Sequence, residues 1–215
     1  MKKLDNVTLI AYTDHEVEGT IKSLQISASK MEFAKVKLLC WNKPENLPEN
    51  IIWEYAPPIN DINDFNLYMF KGIGNHVDTS HALYVQAHSW ILNEDLWDDD
   101  WLQYDYIGGA WKYVDDAYIA WGSGEHVFNG NGGFSLRSRK IMRIPIDHDL
   151  PLLQEKGWFN EDGNLTCYYR ELMLTLGIKY APIEVASKFA YENPMLENDY
   201  GKMKTFGYHR NMSLW

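Results

Sequence analysis

The sequence is poor in cysteine and has no long apolar run. It contains only two cysteines, Cys40 and Cys167. Two well-separated cysteines make no disulfide framework, and they indicate a reducing compartment. No apolar run reaches the roughly 18 residues that a membrane-spanning helix needs, and the chain leads from Met1 into a strand-like segment and not into a signal peptide. We therefore expect a cytoplasmic protein without a transmembrane segment.

Positive charge is also scarce. The chain has 20 Lys and Arg against 30 Asp and Glu, a formal net charge of -10. A non-specific nucleic-acid binder needs a positive surface, whereas here the densest basic group is only Arg137, Arg139 and Lys140. We expect no nucleic-acid partner. A small phosphate-bearing ligand stays compatible with this charge, because a metal ion or a few donors can hold it.

Several catalytic motifs are missing, whereas aromatic residues are abundant. The chain has no G-x-x-x-x-G-K-[ST] run, no G-x-G-x-x-G after its first predicted strand and no G-x-S-x-G. These absences disfavour a nucleotidyltransferase or a kinase, and they disfavour a serine hydrolase. Aromatic residues make up 14% of the chain, and their rings suit a core, a sugar face or a nucleobase.

Strand-like and helix-like segments alternate along the first half. The predicted strands are Val7–Tyr12, Val36–Trp41, Ile51–Tyr55 and a fourth within His81–Leu92, and the predicted helices are Val17–Phe33 and Asp61–His76. This alternation predicts an α/β fold with a parallel sheet between two layers of helices. Ligands of such sheets bind beyond the carboxyl ends of the strands.

The second half has a different character. We predict glycine-rich turns at Gly108–Gly109, Gly122–Gly124 and Gly130–Gly133, a strand turning into a helix over Phe134–Arg143, and a helix over Leu165–Leu176 that Gly177 closes. No long linker is visible, so we expect one domain over residues 1–215. We expect the first half, about residues 1–95, to bind the nucleotide. We expect the second half, about residues 96–215, to bind the donor sugar and the acceptor.

Four segments, in order, carry a family resemblance. They are YVQAHSW at residues 84–90, YDYIGGAW at 104–111, GNGGFSLRS at 130–138, and a stretch from Glu161 to Glu192. Together they resemble the DUF5672-type group of GT-A-like glycosyltransferases over roughly residues 64–209. The resemblance implies a single GT-A-like (Rossmann-like) domain with a mixed, mainly parallel central sheet. It also implies transfer of a hexosyl or deoxyhexosyl group from a nucleotide-diphosphate sugar to an acceptor, for which we expect a glycan.

The resemblance implies a donor site at Gln86 and His88. The first motif of the family reads Q-x-D-G, but here His88 stands in place of the aspartate and Ser89 in place of the glycine. An imidazole can bind a divalent cation, and it suits Mn²⁺ better than Mg²⁺. Alternatively, His88 is a hydrogen-bonding residue and the metal is weak or absent.

The resemblance also assigns roles to the third and fourth segments. Asn131 and Gly132 are expected to approach the donor, although the same residues suit an ordinary tight turn. Asp162 and Glu161 are candidates for the base that takes a proton from the acceptor. They also suit a helix N-terminus, and we favour Asp162 as the functional one.

Further candidates lie at both ends of the chain. His209 is expected to fold back onto the metal and diphosphate, and Arg210 to meet phosphate oxygens, unless this tail is solvent-exposed. Asp14 lies where the nucleoside enters, or else caps the helix before Val17. Trp111 and Asp105 are expected at the donor or acceptor pocket, although aromatic residues serve the core more often.

Two hypotheses of function follow. The first is glycosyl transfer from a nucleotide-sugar, with Mn²⁺ or Mg²⁺ as cofactor. The second is a non-catalytic nucleotide-sugar-binding relative that has lost its metal-binding aspartate at residue 88. The identities of the sugar, base and acceptor, the stereochemical outcome and the oligomeric state cannot be read from the sequence.

Overall fold

A computed structural model describes residues 1–111, 118–154, 160–192 and 204–209. Its strands are β1 (Lys2–Tyr12), β2 (Met31–Cys40), β3 (Ile52–Tyr55), β4 (His81–Val85), β5 (Ser89–Ile91), β6 (Tyr106–Ala110), β7 (Asn129–Ser138), β8 (Ala190–Tyr191) and β9 (Gly207–His209). The α-helices are α1 (Val17–Lys30), α2 (Ile62–Lys71), α3 (Arg139–Asp147), α4 (Glu161–Gly163), α5 (Arg170–Thr175) and α6 (Ile183–Phe189). Short 3-10 helices span Ile73–His76, Glu94–Leu96 and Asp99–Gln103, and a π-helical turn spans Asn164–Tyr168.

Six strands form the central sheet, in the order β3-β2-β1-β4-β7-β6. β1 to β4 are parallel, whereas β7 is antiparallel to both of its neighbours. The predicted mixed, mainly parallel α/β sheet is therefore confirmed. Because β7 runs in the opposite direction, it begins at the edge where β1 to β4 end, and its Phe134 pairs with Val85. The start of β7 thus lies beside the residues that follow β4.

Apolar side chains cover both faces of this sheet. Leu9, Leu38 and Leu83 belong to one buried cluster, and the next residue along each strand belongs to a second cluster on the other face. Successive strand residues point to opposite faces. Strands buried on both faces have continuous apolar runs and not alternating ones, as the sequence of β1 shows.

Local signals fix the ends of several helices. The Asp61 carboxylate accepts hydrogen bonds from the backbone N–H groups of Asn63 and Asp64 at 2.7 and 3.0 Å and so caps α2. Gly177 has φ +77°, in the left-handed region, and follows α5 as predicted. Among the described residues, no helix combines the length and apolar character that crossing a membrane requires.

A second, smaller sheet lies beside the start of β7. Its order is β5-β9-β8, and Ser89 of β5 pairs with His209 of β9. The sequence does not predict β9, because three residues show no periodicity. This pairing brings the end of the described chain next to the segment that follows β4.

Two predictions of local structure are wrong. Gly108–Gly109 lies within β6 and Gly130–Gly133 within β7, where turns were expected. The fourth strand predicted within His81–Leu92 is confirmed as β4, and a further short strand, β5, follows it after a turn. Glycine has a low preference for strands and often marks a close approach of two backbones. The predicted turn at Gly122–Gly124 is confirmed, with φ of +95° and +72° at its two glycines.

Candidate functional site

Six of the site residues predicted from the sequence meet in one cavity of about 200 Å³. It lies at the carboxyl edge of β4, where β7 begins and where α4 and β9 approach. Its wall includes Ile62 and Phe65 of α2, and the six predicted residues are Gln86, Asn131, Gly132, Glu161, Asp162 and His209. Segments more than a hundred residues apart in sequence therefore form one site.

The glycines of β7 allow neighbouring rings to lie against the backbone. A Cβ added to Gly130 would lie 2.2 Å from the Trp111 ring, and one added to Gly133 would lie 2.2 Å from the His209 ring. Neither glycine has a positive φ. These two glycines are therefore needed because the rings lie close to the backbone, and not because a tight turn requires their conformational freedom. Between them, the Asn131 carbonyl oxygen Oδ1 accepts a hydrogen bond from the Gly133 N–H at 3.0 Å.

Asp162 is half-buried at the wall of this cavity. Its Oδ2 accepts a hydrogen bond from the Gly132 N–H at 2.9 Å, and its Oδ1 accepts one from the Gly163 N–H at 2.7 Å. Burial raises the pKa of the Asp162 carboxyl well above its usual range, and the neighbouring Glu161 raises it further. The Arg137 charge and the two N–H groups oppose this rise. An aspartate in this environment suits proton transfer near neutral pH.

Glu161 forms a buried ion pair. Its Oε1 lies 2.8 Å from Arg137 Nη2, and both side chains are almost completely inaccessible to solvent. The Arg137 Nε donates to Ser135 Oγ at 2.8 Å, and its Nη2 also donates to the Gly132 carbonyl oxygen at 3.2 Å. Sequence reasoning noted Arg137 only as part of a basic group. The available signal was an arginine at a core-facing position between Phe134 and Ser138 of a predicted strand.

His209 is held by two side chains. Its Nδ1 lies 2.6 Å from Glu192 Oε2, and its Nε2 lies 3.1 Å from Gln86 Oε1. Glu192 was not predicted as a site residue, because its role depends on the pairing of β8 with β9.

A second cavity, of about 360 Å³, adjoins the first and shares Gln86, Ile62 and Phe65 with it. It lies beyond the carboxyl ends of β1 and β4. Tyr12 and Phe65 form part of its wall, and their rings stack at 5.7 Å. The hydroxyl of Thr20, also in this wall, is buried and has no hydrogen-bond partner in the described part of the chain.

His88 and Asp14 lie at or near this second cavity. His88 lines it, and its Nε2 is 3.1 Å from Glu16 Oε1. Asp14 Oδ2 accepts a hydrogen bond from the Ile59 N–H at 3.3 Å and does not cap α1, whose N-terminus has no side-chain cap. Asp14 therefore ties the loop after β1 to the segment before α2.

Three predicted residues are not brought to these cavities. Asp105 accepts hydrogen bonds from Ser138 Oγ and from the Lys179 N–H. Ser138 ends β7, seven residues beyond Asn131 and roughly 23 Å away at the usual rise of a strand, so Asp105 lies away from both cavities. Trp111 packs on Tyr118 in a buried cluster behind the glycines of β7. Arg210 lies outside the described residues.

The two imidazoles predicted as metal ligands make different contacts. His88 faces Glu16, whereas His209 faces Gln86 and Glu192. No group of three or more His, Cys, Asp or Glu side chains that could hold a metal ion occurs in residues 1–111, 118–154, 160–192 and 204–209. The described side chains therefore do not form a metal centre by themselves.

The architecture is that of the GT-A-like glycosyltransferases, with a Rossmann-type sheet and cavities at its carboxyl edge. The galactosyltransferase LgtC, solved with donor and acceptor sugar analogues, superposes with a TM-score of 0.55 at 15% identity, over 94% of this chain and 86% of that chain. A mannosyltransferase from Pyrobaculum calidifontis, solved with GDP-Man and Mn²⁺, gives a TM-score of 0.48 at 10% identity, over 81% and 53% of the two chains. The 4-diphosphocytidyl-2C-methyl-D-erythritol synthase from Anaerococcus prevotii gives 0.46 at 13% identity, over 74% and 80%. At 15% identity the likeness to LgtC shows the fold alone.

The family itself is shown by the sequence. The profile of the family described as a protein of unknown function, DUF5672, matches residues 58–209. This chain belongs to the DUF5672 family, as the four motifs predict. No curated protein sequence matches it significantly.

Proposed function

We propose that this protein is a glycosyltransferase that moves a hexosyl or deoxyhexosyl group from a nucleotide-diphosphate sugar to a hydroxyl group of a glycan. The observation that carries this proposal is the pair of adjoining cavities that share Gln86, Ile62 and Phe65. The larger cavity has aromatic and apolar walls, which suit a nucleobase. The smaller cavity offers amide, carboxyl and imidazole groups, which suit sugar hydroxyls and phosphates.

The donor would span both cavities. Its nucleoside would occupy the space near Asp14 and Tyr12, and its diphosphate would lie beside Gln86 and His88. Asn131 and the backbone of Gly132 would contact the sugar. The Asn131 amide nitrogen has no hydrogen-bond partner among the described residues, so it is available to a ligand.

Asp162 is the better candidate for the base. Both side chains line the cavity, but Glu161 is almost inaccessible and already neutralised by Arg137, whereas Asp162 is half-buried and uses two of its roughly four acceptor positions. In a single inverting displacement, the acceptor oxygen forms a bond to the anomeric carbon while the bond from that carbon to the diphosphate breaks. The hydroxyl proton passes to Asp162, and the nucleoside diphosphate leaves.

A divalent cation would enter with the donor. The described side chains are too few to hold it alone. When bound, a cation such as Mn²⁺ or Mg²⁺ would neutralise charge on the diphosphate. We propose His88 and His209 as the protein groups nearest to it, and no step of the transfer is derived from it.

Binding and hydrolysis of donors test this function. We expect calorimetry to show binding of UDP- or GDP-sugars, and Gln86→Ala to weaken it, because Gln86 lines both cavities. Gln154→Ala is the matched control, because Gln154 is exposed and bonds only to Asn63 at the surface. Slow hydrolysis of the bound donor should release a sugar with inverted anomeric configuration, visible by proton NMR before mutarotation.

Each contrary outcome has a distinct meaning. Binding without turnover, with donor and any glycan acceptor, would favour the non-catalytic relative, since a binder has affinity but no reaction. Retained configuration would remove Asp162 from the role of base. The absence of binding to every nucleotide-sugar would contradict the proposal as a whole.

A further inference from the structure

Arg137 is an unusual residue for the middle of a core sheet. It is fully buried, and its guanidinium lies 5.4 and 5.3 Å from the ring centroids of Tyr84 and Tyr106. Burying a charge costs several kcal/mol unless it is paired and hydrogen-bonded. Its Nη1 nevertheless has no hydrogen-bond partner among the described residues. Apolar residues of similar volume often replace such ion pairs without loss of stability, so the fold alone does not account for this arginine.

The remaining contacts of Arg137 converge on the site. Its Nη2 donates to both Glu161 Oε1 and the Gly132 carbonyl oxygen. The same carbonyl also accepts from Ser135 Oγ at 2.9 Å, while the Gly132 N–H donates to Asp162. Gly132 is therefore held on one side by Arg137 and on the other side holds Asp162.

Gly132 has no room for a side chain in this arrangement. An added Cβ would lie 2.8 Å from both Arg137 Nη2 and Glu161 Oε1, and 3.1 Å from Asp162 Oδ2. These three charged groups thus surround one peptide unit of the cavity wall. One guanidinium faces two carboxyl groups, and it contacts only Glu161 directly.

We propose that Arg137 is a positioning residue for the transfer reaction: by fixing Gly132 and neutralising Glu161, it leaves Asp162 as the one carboxyl group available to the acceptor. This inference rests on the proposed glycosyl transfer. Arg137 itself does not line the cavity and would not touch either substrate.

Burial keeps three ionisable groups near Asp162 uncharged at neutral pH. Burial raises the pKa values of Tyr106 and Tyr118, and it raises that of Cys167 to about 11. Glu161 and Arg137 are the charged groups that act on Asp162, and the imidazole of His209 lines the same cavity. The ionisation of Asp162 should therefore respond to Glu161 and Arg137 in opposite directions.

The test compares Glu161→Gln with Arg137→Gln in the pH dependence of kcat. Removing the Glu161 charge lowers the pKa of Asp162, so the low-pH limb should move to lower pH. Removing the Arg137 charge raises that pKa, so the limb should move to higher pH. Arg137→Lys keeps the charge but loses the planar fork. It should leave the limb in place and reduce kcat about tenfold or more, with a smaller change in KM.

A second readout needs no turnover. Titration of carboxyl-labelled aspartate by carbon NMR, with Asp162 assigned through Asp162→Asn, should show the same opposite shifts. Arg143→Gln is the control, because Arg143 pairs with Asp147 at the surface and lies outside the site. If Arg137→Gln does not fold, the nearly isosteric Glu161→Gln variant still tests the proposal, because the pKa of Asp162 should be lower in it than in the wild type.

The inference is overturned if Asp162 titrates unchanged in these variants, or if both variants shift it in one direction. Loss of activity that only follows loss of thermal stability would equally reduce Arg137 to a structural residue. If the wild type transfers no sugar, the proposed function fails, and the NMR titration still decides whether Arg137 and Glu161 control Asp162.

Discussion

Gly133 and His209 show how single residues define this site. The imidazole lies over the glycine backbone, and Glu192 and Gln86 hold its two nitrogens. A side chain at residue 133 would occupy the place of the ring. The glycine is therefore needed for the position of His209 more than for the conformation of β7.

We expect Gly133→Ala to displace the His209 ring and to weaken nucleotide binding about tenfold or more, since the contact with the diphosphate side of the cavity is lost. Stability should fall by about 1–3 kcal/mol. Replacing His209 by Ala removes the obstacle, so Gly133→Ala should cost much less in the His209→Ala background. Thermal unfolding of the four proteins in this double-mutant cycle measures the coupling. Additive costs would contradict the close contact.

Asp162→Asn gives a sharper test of the base. Gly132 and Gly163 donate to different oxygens of Asp162, and the amide replaces one of these oxygens by an NH2 group, so one N–H loses its acceptor at a cost of about 1–3 kcal/mol. Loss of a general base should reduce kcat by about 10²–10⁴, and the low-pH limb of activity should disappear. Asp147→Asn is the control, since Asp147 is an exposed partner of Arg143. Equal activity in both variants would exclude Asp162 from proton transfer.

At the scale of elements, the pairing of β6 with β7 carries the glycine strand into the site. A Cβ on Gly108 would lie 2.1 Å from the Asn131 carbonyl oxygen, a backbone atom that cannot move aside. Asn129 Oδ1 accepts the Gly108 N–H at 2.8 Å, at the point where the β6–β7 register shifts. This irregular contact between two adjacent strands thus requires glycine at residue 108.

Gly108→Ala should therefore lower the free energy of unfolding by about 3 kcal/mol. This cost lies at the upper end of the range expected for Gly133→Ala. For a chain of this size that corresponds to a fall in Tm of roughly 6–12 °C. Gly124→Ala is the matched control, because it has φ +72° but no atom within 4 Å of an added Cβ. It should cost only the conformational strain of about 1–2 kcal/mol. Equal losses of stability in Gly108→Ala and Gly124→Ala would mean that backbone conformation, and not close contact, is the reason for glycine at these two positions.

The elements that the sequence predicts well are those with strong apolar patterns. β1, β2, β3 and α1 coincide with their predicted segments to within a few residues, although β1 and β2 start earlier than expected. The glycine pairs in β6 and β7 were assigned to turns, because their partners lie far away in sequence and glycine rarely favours a strand. β9 has three residues and depends wholly on pairing with β5 and β8.

At the scale of the whole molecule, the sheet topology explains why residues from separate motifs line one cavity. Parallel strands end at one edge, and antiparallel β7 begins there, so Gln86, Asn131 and Asp162 converge. Asp105 lies at the opposite end of β7 from these residues, which spacing along the chain does not reveal. Arg137 and Glu192 could not be assigned, since their roles exist only after the chain has folded.

The coupling between donor binding and metal binding depends on residues from distant parts of the chain. His88 lies 3.1 Å from Glu16 at the larger cavity, while His209 lines the smaller one. Because the described side chains form no metal centre alone, we expect Mn²⁺ to bind only with the diphosphate, and each should raise the affinity for the other by the same factor.

His88→Asp adds a second carboxylate beside Glu16, and such hard oxygen ligands favour Mg²⁺, so donor binding should then respond to Mg²⁺ as well. His88→Ala should weaken binding in Mn²⁺ and change little in EDTA, with His148→Ala, at the exposed end of α3, as the control. Calorimetry of UDP and GDP with each metal decides the matter: equal affinity of the wild type in Mn²⁺ and in EDTA would mean that the site works without a cation and that His88 only donates or accepts hydrogen bonds.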